Sequence, residues 1–386
     1  MLLRHFRLIR PLAGLGALLG AATIFAATPR PTPAAEAPTV VATIAPIHSL
    51  VAAVMEPVGA PVLLLPAGSS PHAAALKPSA ARALADASLV FWVGPGIEDF
   101  LSDAIPSLSS EATVITLGAA EGLTHLPVRT GFGRHDETEM AESTEHHPDA
   151  HDEHHEHDEH HEHDEHREHD EHREHDEHRE HDGHREHDGH REHDGHDHHH
   201  HDHGGIVDEH GTTIDMHLWL DPENARAMVR AIAAALTEAD PSNAVAYRKA
   251  ATATDTRLEA LASEMETILS DIRAAPVVVY HDAFQYLERR FELTVADVVA
   301  PSPGLQPGAR QVRVIREQIA AAQARCVFME PQFNSRIATV LIEGSDAGIG
   351  TLDPLGAGLA PGPDLYFELL REIANNYRDC SGAGSG

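Results

Sequence analysis

Apolar residues along the chain fall into short, nearly continuous runs separated by stretches of helical spacing. TVVATIAP (39–46), APVLLLP (60–66), ASLVFWVG (87–94) and TVITL (113–117) read as strands in the first third. PVVVYH (276–281), LTVADVVA (293–300), RCVFMEP (325–331) and IGTLDPLG (349–356) repeat the pattern near the C-terminus. Helical spacing covers His48–Met55, Ser79–Ala87, Asn224–Ala239, Asp282–Arg290, Ala309–Gln323, Asn334–Glu343 and Pro363–Tyr377. Strands apolar throughout and alternating with helices predict parallel sheets covered on both faces. Asp221 with Pro222 behind it reads as an N-cap and first helical residue. Asp240 and Pro241 open a longer helix that runs to about Arg273, with Leu258, Leu261, Met265, Ile268 and Leu269 on one stripe. Some thirty residues at 1.5 Å each span about 45 Å, the length of a strut through a domain. The expected architecture is α/β: two parallel-sheet lobes joined by one long helix.

Two segments break this pattern. Arg4, Arg7 and Arg10 precede a short apolar stretch over residues 11–27, followed by Pro and Ala up to Pro38. That is the form of an export signal, so residues 1–37 are expected to direct the chain to the periplasm. The run is short for a membrane span and starts with Pro11. No Cys lies near it, which excludes lipid attachment of the bacterial lipoprotein kind. The second break, residues 135–203, carries a hexad repeat in which REHDEH turns into REHDGH. It has almost no apolar residue, cannot bury a core, and is expected to be a disordered insertion in the first lobe. The predicted parts are a leader (1–37), a first lobe (38–240) containing the insertion, a linking helix (241–273) and a second lobe (274–386).

The formal charge of −33 excludes nucleic acid as a partner, since phosphate backbones require a basic face. The chain holds 33 histidines, most of them in the insertion, so its charge collapses as they protonate in mild acid. Its two cysteines, Cys326 and Cys380, are expected to form one disulfide after export and to pin the C-terminal tail.

Outside the insertion, His72, His217 and His281 sit beside predicted strand ends or element junctions, and Asp353 occupies the same kind of position. The carboxyl ends of strands line the ligand crevice of open α/β sheets. Two candidates come from each lobe, so they could converge on an interlobe cleft. Three neutral imidazoles and a carboxylate suit tetrahedral zinc. Glu330, which also ends a strand, is a candidate to support the ligands from behind. A zinc hydrolase would use a similar ligand set, but the sequence has no HExxH helix, nucleophile elbow or phosphate loop.

Taken in order, IAPIHSLVAAVM, LLLPAGSSPHAAALKPSAA, the His-rich insertion, MHLWLDPENAR, VVVYHDAFQYLERRF, PSPGLQPGAR, CVFMEPQFNS and TLDPLG resemble the zinc-specific substrate-binding proteins of metal ABC transporters. The resemblance covers about residues 38–380. It implies a transport protein rather than an enzyme, with zinc held by His72, His217 and His281 and with Asp353 near or on the metal. It also implies a monomer that delivers zinc to a membrane permease driven by a cytosolic ATPase. Manganese-preferring relatives typically carry Glu at the third position, where this chain has His281. Some zinc members place an acidic residue just before the first histidine; here Pro71 stands there, leaving the fourth position to Asp353 or water. The remaining alternatives are a receptor for manganese, iron or copper, and a metal-buffering or adhesin protein.

The insertion's histidines recur every two or three residues and should collect zinc in many weak, fast-exchanging sites. Deleting residues 135–203 should lower the zinc stoichiometry measured by calorimetry sharply and leave one tight site. Equal stoichiometry in the two proteins would exclude the collecting role.

Overall fold

The computed structural model describes residues 37–129, 205–207, 211–300, 307–333 and 336–382. The expected leader up to residue 36, the expected disordered insertion at 135–203 and part of PSPGLQPGAR lie outside the described residues.

All eight predicted strands form. In the first lobe β1 (Val40–Ala42), β2 (Val62–Leu63), β3 (Leu89–Trp92) and β4 (Thr113–Thr116) make a parallel sheet of order β2-β1-β3-β4. In the second, β5 (Val277–His281), β6 (Val295–Ala300), β7 (Cys326–Met329) and β8 (Gly348–Thr351) repeat it as β6-β5-β7-β8. The helices are α1 (Ala45–Met55), α2 (Pro78–Ala85), α3 (Ala104–Leu108), α4 (Pro222–Ala239), α5 (Ala244–Leu269), α6 (Gln285–Phe291), α7 (Ala309–Ala321), α8 (Arg336–Ile342) and α9 (Leu365–Gly382).

Strand alternation explains the layering. Val40, Ala42, Leu89 and Phe91 point to one side of the first sheet, while Val41, Val90 and Trp92 point to the other, toward α2 and α3. In the second sheet Val277, Val279, Cys326 and Phe328 face inward, and Val278, Tyr280, Val327 and Met329 pack on α7 and α8. The two inward faces share one hydrophobic core with residues of α1, α4, α5, α6 and α9. The long helix α5 runs through it with Tyr247, Leu258, Leu261, Met265 and Leu269 buried, and touches α1, α4 and α9. Short 3-10 turns at Pro241–Asn243 and Ser270–Ile272 extend α5 at both ends, close to the range expected from sequence.

Elsewhere the boundaries move for local reasons. α1 starts three residues before His48, because Pro46 fits the first helical turn. α6 starts at Gln285 rather than Asp282, whose carboxylate is held by Arg129. Asp221 caps α4 as expected, accepting from the Glu223 amide at 2.9 Å. Cys326 and Cys380 form the disulfide, tying α9 to β7 across a separation of 54 residues. Loop-closure entropy puts its contribution at roughly 4 kcal/mol.

One buried charge stands out. Glu98 is fully buried beyond the end of β3, where its Oε2 accepts from the amides of Val93 at 2.7 Å and Gly94 at 3.2 Å. Burial pushes its pKa up to about 7 from 4.5, against the pull of those amides. Between those two values the folded protein holds a proton that the unfolded chain has released, so stability falls as pH rises through that window. The contribution is roughly 3 kcal/mol. Glu98→Gln should gain in Tm over the parent progressively as thermal melts move from about pH 5 to about pH 8. A difference that does not change with pH would contradict this account.

Candidate metal centre

His281 is the last residue of β5, and the alternation that turns Val277 and Val279 inward turns it inward too. The β5–β7 register pairs Val277 with Cys326 and Val279 with Phe328, so two residues further on Glu330 falls opposite His281. β5 and β7 flank the point where the chain reverses its winding, the place where open α/β sheets form their crevice. His281 Nδ1 lies 3.2 Å from Glu330 Oε1, and both residues are buried.

His217 arrives from the other lobe, in a turn just ahead of α4. Asp215, two residues earlier, accepts from both the His217 backbone amide at 3.0 Å and Nδ1 at 2.8 Å. This segment is held by the second lobe. Gln285 on α6 donates to Asp215 Oδ2 at 3.2 Å, and the Tyr286 hydroxyl donates to the Asp215 carbonyl at 2.6 Å. Trp219 Nε1 donates to the Pro354 carbonyl, Tyr366 on α9 donates to the Trp219 carbonyl, and Arg290 makes a two-point pair with Asp221.

His72 sits in a short 3-10 turn, Pro71–Ala73, on the long loop between β2 and α2. Its Nε2 is 3.3 Å from His217 Nε2. The three imidazole centroids lie 5.0 to 5.3 Å apart, and one nitrogen from each ring falls within 4.8 Å of the others. His72 as a residue remains exposed, but its ring packs against two buried histidines. Removal from water pushes the His72 pKa down, and the neighbouring His217 and His281 rings lower it further. A neutral ring keeps a lone pair available.

Tautomers follow from these contacts. A carboxylate can only accept, so Asp215 and Glu330 fix protons on Nδ1 of His217 and His281 and leave each Nε2 as a lone pair. Carboxylate–histidine pairs of this kind orient metal-binding imidazoles. Trp219, Phe333, Pro354 and Leu355 complete the walls.

The structure brings together three of the four residues expected at the site. Asp353 is not in the group that the three histidines form. Its Oδ1 accepts from the Leu355 amide at 2.9 Å and Gln332 Nε2 at 3.3 Å, and its Oδ2 from the Ala357 amide at 2.5 Å. The carboxylate is committed to its own turn. Sequence reading missed Asp215, although its spacing of two from His217 was a local signal. It also missed Arg129, which pairs with Asp282, next to His281, and with Glu288 on α6.

Fold and site together define a bilobal α/β binding protein with a three-histidine cluster between its lobes. A family model described as "Zinc-uptake complex component A periplasmic" (ZnuA) matches residues 40–380, and the chain belongs to that family. The high-affinity zinc uptake system protein ZnuA of Brucella abortus is 42% identical over 343 residues, covering 88% of this chain and 91% of that protein. A crystal structure of ZnuA superposes with a TM-score of 0.61 at 18% identity, covering 90% of this chain and all of that one. The SBP FpvC from Pseudomonas aeruginosa in complex with Mn2+ gives 0.63 at 20% identity over 90% of this chain and 100% of that one. At such identities the solved structures speak for the fold. No described helix is long and apolar enough to cross a membrane.

The tautomer assignment is open to test by long-range 15N correlation NMR on metal-free protein. His217 and His281 should both appear as Nδ1–H tautomers. Asp215→Ala should return His217 toward the Nε2–H form common in water while leaving His281 as it was.

Proposed function

We propose that this chain binds zinc in the periplasm through Nε2 of His217 and His281 and a ring nitrogen of His72, and delivers it to an ABC-type importer. The observation that carries the reading is the convergence of three ring nitrogens, two of them aimed by buried carboxylates. Zinc–nitrogen bonds of 2.0–2.1 Å in a tetrahedron put ligand nitrogens about 3.3–3.4 Å apart. The 3.3 Å between Nε2 of His72 and His217 fits that edge. Asp215 and Glu330 offset part of the ion's charge without touching it, and raise the basicity of the rings that do. Nitrogen ligands alone favour zinc over manganese, which prefers carboxylate and water oxygens. With Asp353 turned to its own backbone, water takes the fourth position.

Membership of a zinc-uptake family supports transport rather than catalysis. The partners are then a membrane permease and the ATPase that drives it. The leader, expected at residues 1–37, carries the chain to the compartment that the family description names.

The test is zinc affinity by chelator competition. In protein lacking residues 135–203, changing His72, His217 or His281 to Ala should weaken zinc binding by orders of magnitude in each case. Asp215→Asn should cost roughly 10- to 100-fold. If two of the three alanine variants bound zinc like the parent, the assignment would be wrong.

A further inference from the structure

We infer that Asp353 is a positioning residue: it shapes the turn on which the loop carrying His72 rests, and thereby sets where the third imidazole stands. The inference builds on the zinc reading above. Asp353 follows β8 by two residues and closes its own turn through the Leu355 and Ala357 amides, with Gln332 as a further donor. The turn is in contact with both histidine-bearing segments of the first lobe. Its Pro354 carbonyl accepts from the indole of Trp219 at 2.9 Å, two residues beyond His217. Its Ala357 lies against Gly68, four residues before His72.

The second contact is unusually close. Gly68 has φ of 79°, and a Cβ placed on it would stand 2.8 Å from the Ala357 Cβ. Only a residue without a side chain lets the two loops approach this nearly. Backbone hydrogen bonds fix the start of the His72 loop, from Leu64 to the Ala42 carbonyl and from Leu65 to the Thr43 carbonyl. Beyond that start, the Gly68–Ala357 contact braces the loop against the second lobe. His217 and His281 each have a buried carboxylate to hold them. For His72 the corresponding constraint is the placement of its loop, so disturbing the Asp353 turn should loosen one ligand out of three.

Two roles for Asp353 then separate cleanly. A ligand would change the metal's coordination when removed. A positioning residue would leave the coordination alone and change how long the metal stays. The experiment uses the full chain with half an equivalent of metal, so that the tightest site fills first. Cobalt(II) absorption reads the ligand set, and stopped-flow transfer of zinc to a chelator reads release. Asp353→Ala should keep the cobalt band and release zinc roughly tenfold faster. Ala357→Gly, which leaves Asp353 intact, should speed release in the same direction, and the double variant should fall short of the product of the two. A changed cobalt band in Asp353→Ala would make Asp353 a ligand and overturn the inference. Wild-type release in Ala357→Gly would overturn it as well, even if Asp353→Ala failed to fold. His217→Ala serves as the control: zinc release as slow as the parent's there would mean that the zinc site itself, and not the role of Asp353, had been misassigned.

Discussion

The structure depends on one hydrophobic core shared by two sheets. The inward faces of both sheets meet α1, α4, α5, α6 and α9 in a single cluster, with α5 threaded through it. Separating the lobes would expose apolar surface at about 25 cal/mol per Å2, a large cost set against a few kcal/mol of net stability. The lobes therefore behave less like two jaws on a hinge than like two faces of one body. Whatever moves during binding has to be smaller than a lobe: a loop, a turn or a side chain.

The polar contacts follow the same logic. The segment 215–221 belongs by chain order to the first lobe, yet Gln285, Tyr286, Arg290, Pro354 and Tyr366 of the second lobe hold it. His217 and His281 thus form one preset pair, each with its own carboxylate. His72 approaches from the other side on a long loop. Two of the three imidazoles are thus held by buried carboxylates, and the third is placed by its loop.

Much of this was legible in the sequence because it is local. Near-continuous apolar runs announced all eight strands, and Asp221–Pro222 announced the start of α4. His72, His217 and His281 stood out because histidines are otherwise few outside residues 135–203. Distant pairings were legible only in part: Glu330 stood out as a strand end able to support a ligand, but that it faces His281 follows only from the β5–β7 register. Asp353 stands apart from the histidine group for a different reason. The residue type was right for a ligand, but an Asp followed by a tight turn tends to accept its own backbone amides, and here it does. Arg129 gave no signal at all, since its carboxylate partners lie more than 150 residues away along the chain.

The repeated winding has a consequence of its own. Both sheets reverse direction at equivalent strand pairs, β1–β3 and β5–β7, so the chain builds the same crevice twice. In the second half that crevice holds His281 and Glu330 and faces the cleft. In the first half the matching position is filled from within: the side chain of Glu98, fully buried, accepts from the Val93 and Gly94 amides. The same winding thus serves as a receptacle in one half and as solid wall in the other.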